Sequence, residues 1–123
     1  LNIDEYWTAV LQQKPEEMRK FFHANAFVNW HNTNEHFTVD EFIRANCEYP
    51  GRWDGKIERA EEKGGLIITA VHVFSRSRDV SCHVTSFIEV VDDKISAIDK
   101  YWGDDGSVPQ WRINLRIGTP IKA

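Results

Sequence analysis

Several things are scarce or missing in this chain, and each absence removes a class of function. Only two cysteines occur, Cys47 and Cys82, and they form no C-x-x-C pair. The reading is therefore two reduced thiols packed as small apolar groups, which fits a reducing cytoplasm. No run of apolar residues approaches the roughly 20 needed to span a bilayer; the longest, from Leu66 to Val73, is broken by Thr69 and His72. A membrane is not an expected partner. The fifteen Lys and Arg are scattered within a net charge of -4, so phosphate backbones find no basic block, and nucleic acid is not an expected partner either. The first residues, Leu1 to Glu5, carry neither a charged nor an apolar leader pattern, so secretion has no support.

Missing motifs matter equally. No G-x-S-x-G, phosphate-cradling loop or dinucleotide fingerprint is found, and no cofactor is expected. His31, Glu35 and His36 are spaced H-x-x-x-E-H, one residue longer than the zinc pattern H-x-x-E-H, and lie in a polar stretch; no metal is expected there. Gly64 and Gly65 read as a turn. Asp104, Asp105 and Gly106 read as a solvated turn, since no further acids complete a calcium loop.

What is present is the balance of an ordinary globular chain, 41% hydrophobic and 28% charged over 123 residues, which points to one domain spanning 1–123. Ile3, Tyr6, Trp7, Val10 and Leu11 share one helical stripe. Pro15 followed by Glu16 and Glu17 starts a second helix, with Met18, Phe21 and Phe22 as its buried face. Ala26 to Trp30 reads as a strand. Thr38 and Glu41 make a capping box before a third helix whose face holds Val39, Phe42, Ile43 and Asn46. Four strands follow, Lys56 to Glu61, Leu66 to Ser75, Ser81 to Val90 and Ile95 to Trp102, separated by short turns that make them antiparallel neighbours. Helices first and a meander afterwards imply an α+β fold with helices on one face of a twisted antiparallel sheet.

Alternation divides each strand between two faces. His83, Thr85 and Phe87 share one face of their strand; Cys82, Val84, Ser86 and Ile88 share the other. His72 and His83 sit on neighbouring strands and could face one cavity, where an imidazole would suit general acid or base work; hydrogen-bonded sheet residues are the plainer alternative. Five tryptophans are available for a core or for the walls of a pocket, and Trp30, Trp53 and Trp102 are the candidates for walls. Val84, Ile88 and Val90 are read as apolar residues turned away from the helices, which suggests a homodimer through the sheet.

The element order, the segment Asn25 to Trp30, the Phe-Ile-x-x-Asn segment Phe42 to Asn46, and DDKISAIDKYW from Asp92 to Trp102 resemble the NTF2-like superfamily, which includes the SnoaL-like proteins. The late run YWGDDG with Pro109, Gln110, Trp111 and Arg112 is similar to uncharacterised bacterial members. That resemblance implies a cone-shaped, strongly curved sheet closed by three N-terminal helices around an apolar cavity, and often a dimer. It also implies that Ile98, Lys100 and Trp102 point into the cavity, together with Val28 and Trp30. It puts Thr85 and Trp30 where a ketosteroid isomerase carries its two carboxylates, and neither residue can replace one. Three functions follow as expectations. One is a binder of a small hydrophobic or aromatic molecule, with Trp30, Asn46, Trp53, Thr85, Phe87, Ile98 and Trp102 around it. Another is a SnoaL-like isomerase, dehydratase or cyclase moving protons through His83, His72 or Lys100. The last is a dimeric interaction module without a ligand.

Overall fold

The computed structural model describes residues 1–122. Asn2 caps helix α1 (Ile3–Leu11) by accepting from the Glu5 amide at 3.0 Å, and the stripe of the sequence turns Tyr6, Trp7 and Val10 into the core. Helix α2 (Pro15–Arg19) opens on its proline and is one turn long; only Met18 is buried from it. Phe22 leaves the helix face assigned to it and starts strand β1 (Phe22–Trp30). The polar stretch after Trp30 is a tight turn, with Asn34 at φ 56, that returns as strand β2 (Glu35–Thr38), which sequence pattern did not show. Helix α3 (Val39–Cys47) has the expected capping box: the Glu41 amide donates to Thr38 Oγ1 at 3.2 Å, and the Thr38 amide donates to Glu41 Oε1 at 2.9 Å.

Strands β3 (Trp53–Lys63), β4 (Leu66–Ser75), β5 (Ser81–Val91) and β6 (Lys94–Asp104) form the antiparallel meander, and a short helix α4 (Gln110–Leu115) ends the described chain. The sheet order is β2-β1-β6-β5-β4-β3. Pairing is antiparallel except between β1 and β6, which run parallel, so the sheet is mixed at that junction. Helices α1 to α3 cover one face, and the core lies between them and the inward residues Val28, Val71, Val84, Ile88 and Ile98. Each large apolar side chain buried there contributes about 1.5–3 kcal/mol. No described helix is long and apolar enough to cross a membrane.

Two one-residue bulges decide what each face carries. On β6, Val90 pairs with Ile95 while Glu89 pairs with Ala97, so Ser96 is extra and the register slips by one. A slip of one reverses every side chain relative to its neighbour. Thus Ser86, not Thr85, lies across from Lys100, and Ile88, not Phe87, lies across from Ile98. On β3, Ile57 pairs with Val71 and Arg59 with Ala70, leaving Glu58 as the extra residue.

The first bulge corrects part of the sequence reading. Val84 and Ile88 are buried beneath the helices and Val90 packs against the same core, so the apolar outer surface inferred from them, and the argument for pairing drawn from it, do not hold. The outer face instead presents Thr85, Phe87 and Tyr101.

Candidate functional site

A cavity of about 640 Å³ opens at the end of the sheet away from the Asp92–Asp93 turn, between α1, α3 and the inner face of the strands. Its size is that of ordinary small-molecule sites. Trp7, Val10 and Leu11 supply the α1 wall; Ala45, Asn46 and Tyr49 supply the wall at the end of α3; Trp30, Val73, Cys82 and Trp102 come from the sheet, and Trp53 stands at the rim. Leu11 approaches the sheet closely because β3 carries a glycine beneath it. A Cβ on Gly55 would lie 2.8 Å from the His72 carbonyl oxygen and 3.1 Å from both Leu11 methyl carbons.

The aromatic wall is built from edge-to-face and tilted contacts. Trp30 meets Trp102 at 5.9 Å between ring centroids and Phe37 at 4.9 Å, while Tyr49 meets Trp53 at 5.3 Å. Such pairs add about 0.5–1.5 kcal/mol each beyond their area and fix ring orientation. The polar groups around the opening are mostly engaged in holding it together. Asn46 Nδ2 donates to the Val10 carbonyl at 2.9 Å, and Gln13 Nε2 donates to the carbonyls of Asn46 and Tyr49, both at 2.9 Å, so α1 and α3 are stitched side by side. Asn32 clamps the turn after β1 onto β6 by accepting from the Trp102 amide at 2.6 Å and donating to its carbonyl at 2.5 Å. The buried indole N–H groups of Trp30 and Trp102 have no acceptor within the described residues.

Lys100 points inward, as expected, but lies behind the cavity wall. Its Nζ sits 4.5 Å from the Trp7 ring centroid, 5.5 Å from that of Trp102 and 5.7 Å from that of Phe42; its one hydrogen bond goes to Ser86 Oγ at 3.2 Å. Burial without a carboxylate partner pushes its pKa down to about 7, so the amine is close to half-protonated near neutrality. Cys82, on the wall itself, is driven the other way, up to about 11, first by burial and then by Asp105 and Asp104. It is a closed thiol rather than a nucleophile.

The sequence-derived candidates therefore divide. Trp30, Asn46, Trp53 and Trp102 line the cavity. Ile98 faces inward but is fully buried in the core below it. Thr85, Phe87, His72 and His83 are corrected: they lie on the opposite, outer face of the sheet, because the Ser96 bulge reverses β5 relative to β6, and His72 follows as the cross-strand partner of His83. The two histidines do meet, with rings stacked at 4.6 Å, but beside Glu58 and Asp105 rather than in the cavity. Sequence reasoning missed, among others, Gln13, Tyr49, Val73, Cys82 and Asp104, the last having been read only as part of a solvated turn; only the choice of face on β5 could have revealed Cys82, and the bulge hid it.

No family model matches the chain, and no curated protein matches it by sequence. Solved structures do. A protein of Kribbella flavida regarded as a ketosteroid isomerase candidate is 23% identical, with 98% of this chain and 88% of that one covered at a TM-score of 0.81. An NTF-2 like protein of unknown function from Burkholderia xenovorans is 16% identical over 96% and 92% of the two chains, with a TM-score of 0.77. An LEH-like epoxide hydrolase of M. tuberculosis is 13% identical over 82% and 79%, with a TM-score of 0.67. The fold of this chain is therefore the NTF2-like cone shared by ketosteroid isomerase-like and SnoaL-like proteins. At these identities the likeness defines architecture, not activity.

Proposed function

We propose that this protein binds a small apolar or aromatic molecule in the cavity between α1, α3 and the sheet. The observation that carries the reading is the cavity itself: about 640 Å³, walled by Trp7, Trp30, Tyr49, Trp53 and Trp102, with few polar groups. Aromatic walls of fixed orientation select flat molecules of two or three rings. The Trp30 and Trp102 N–H groups are donors without acceptors, so an oxygen-bearing ring compound that drew either indole toward it would satisfy a buried donor worth about 1–3 kcal/mol.

Titration with 2-naphthol, followed by tryptophan fluorescence, tests this. A saturable change is expected, and Ala45→Phe, which fills the cavity from α3, should abolish it while leaving the thermal melt within a few degrees of the parent. Binding that survives Ala45→Phe, or a parent that shows no saturable change with any two- or three-ring compound tried, would refute the reading.

A second reading has one specific observation in its favour. One structural relative is regarded as a ketosteroid isomerase candidate and another is an LEH-like epoxide hydrolase, and Lys100 holds an amine with a pKa of about 7, the range suited to proton transfer. Catalysis through Lys100 requires the Trp7 or Trp102 ring to move aside. Turnover of any bound compound should then vanish in Lys100→Met while its binding persists.

A further inference from the structure

The outer face of the sheet carries a second constellation, independent of the cavity. Strand β4 contributes His72, β5 contributes His83, the bulge of β3 turns Glu58 toward them, and Asp105 follows the end of β6. His72 and His83 are direct cross-strand partners, so their side chains leave the sheet side by side. One donor atom from each of Glu58, His72 and His83 lies within 4.8 Å of the other two. These residues stand 14 and 11 positions apart in the sequence, and no linear motif could announce them.

Proton positions give the cluster its direction. His83 Nδ1 lies 2.5 Å from Asp105 Oδ1. A carboxylate only accepts, so Nδ1 carries the hydrogen, and neutral imidazole must then hold its lone pair on Nε2. That lone pair faces Glu58 Oε1 at 3.3 Å. That ring nitrogen and the Glu58 carboxylate therefore face one another across a gap that either a second proton on the ring or a bound metal ion bridges. The Asp105–His83 bond is also the outer-shell contact that metal-bound histidines make, fixing ring and tautomer. Asp105 is held in place in turn: Ser81 Oγ donates to Oδ2 at 2.5 Å, and His72 Nε2 lies 2.8 Å from the same hydroxyl. Although partial burial raises the Asp105 carboxyl, the Ser81 and His83 hydrogen bonds and the nearby imidazoles bring it below its usual range. Asp105 is thus part of this cluster rather than of a solvated turn.

We infer that Glu58, His72 and His83 form a binding site for one divalent transition-metal ion on the outer face of the sheet, with Asp105 orienting His83. Two imidazoles and a carboxylate suit zinc, cobalt or nickel better than calcium or magnesium, which take oxygen donors. Closing the set from 4.8 Å to the roughly 3.4 Å between ligands of a tetrahedral ion takes rotation of the stacked imidazoles away from parallel, and His72, whose Nε2 donates to the Ser81 hydroxyl, must leave that bond and present an unprotonated nitrogen. Both histidines are partly exposed, so the rotation meets little packing. A fourth position would remain for solvent.

The test uses the tag-free full chain, stripped with a chelator and titrated with Zn²⁺ by calorimetry and with Co²⁺ by visible absorption. Binding of one equivalent with a Kd below about 10 µM is expected, with the intense visible bands of four-coordinate cobalt. His83→Ala and Glu58→Gln should each weaken it by more than about tenfold, and Asp105→Asn by about tenfold. His36→Asn, on β2, should leave it unchanged. Zn²⁺ should raise the melting temperature of the parent but not of Glu58→Gln, an exposed substitution that tests the site even where His83→Ala fails to fold. No saturable binding below about 1 mM, or equal affinity in the parent, His83→Ala and Glu58→Gln, would overturn the assignment.

Discussion

Lys100 shows how magnitudes decide a residue's state. An ammonium held without a counter-ion costs several kcal/mol in a protein interior. Against this stand a cation–π contact with Trp7, worth about 0.5–2 kcal/mol, and one hydrogen bond to Ser86. Desolvation wins, and the folded pKa falls from 10.5 to about 7. Between those values the unfolded chain holds a proton that the folded chain has released, so stability rises as pH climbs from about 7 toward 10.5 and the penalty is fully felt below about 7. Lys100→Met, which keeps the length and drops the charge, should therefore stabilise the protein by about 1–3 kcal/mol at pH 6. Urea unfolding at pH 6, 8 and 9.5 should show the parent gaining stability across this range and the variant gaining less. A variant weaker than its parent at pH 6 would mean that the aromatic rings hold the cation more tightly than burial disfavours it.

At the scale of elements, two sites report on how the cavity walls are set. Thr38→Ala removes the cap of α3 and should cost about 1 kcal/mol, seen as a lower midpoint in chemical denaturation. Gly55→Ala should cost about 1–3 kcal/mol, because its Cβ meets the His72 carbonyl and the Leu11 side chain that walls the cavity. It should also weaken binding in the cavity, which Thr38→Ala should not. Regularity governed what could be read from sequence. Strand β4 alternates without a break, and its limits, Leu66 to Ser75, match those read from its pattern. The cap of α3 was legible because its chemistry is local. The faces of β5 were not, since a single extra residue, Ser96, lies on a different strand and alters parity only once pairing is known. Strand β2 stayed hidden because its four residues are largely exposed and show no clean apolar alternation. The cavity's tryptophans were visible as a surplus of large rings, whereas the outer cluster depends on a bulge at Glu58 and on contacts across four strands.

For the molecule as a whole, the stretch after β6 behaves unlike the rest. Trp111, Ile113, Leu115, Ile117 and Ile121 are all exposed, and nothing in α4 is buried. Exposed backbone with few contacts opens at little free-energy cost. Limited trypsin digestion is therefore expected to cut after Arg112 and Arg116 at least about ten times faster than anywhere in the sheet, read by mass spectrometry. Early cuts between β3 and β6 would instead show that the meander is the weak part.

Beyond Asp105, that trailing segment makes one ion pair to the body among the described residues, Lys122 Nζ to Glu58 Oε2 at 3.2 Å, while the other oxygen of the same carboxylate faces His83. An exposed, solvent-screened pair of this kind is weak enough for a nearby doubly charged ion to unseat it. Loading the outer cluster with zinc would consequently unfasten the tether, and the speed of the Arg116 cut would become a gauge of occupancy that needs no spectroscopic label.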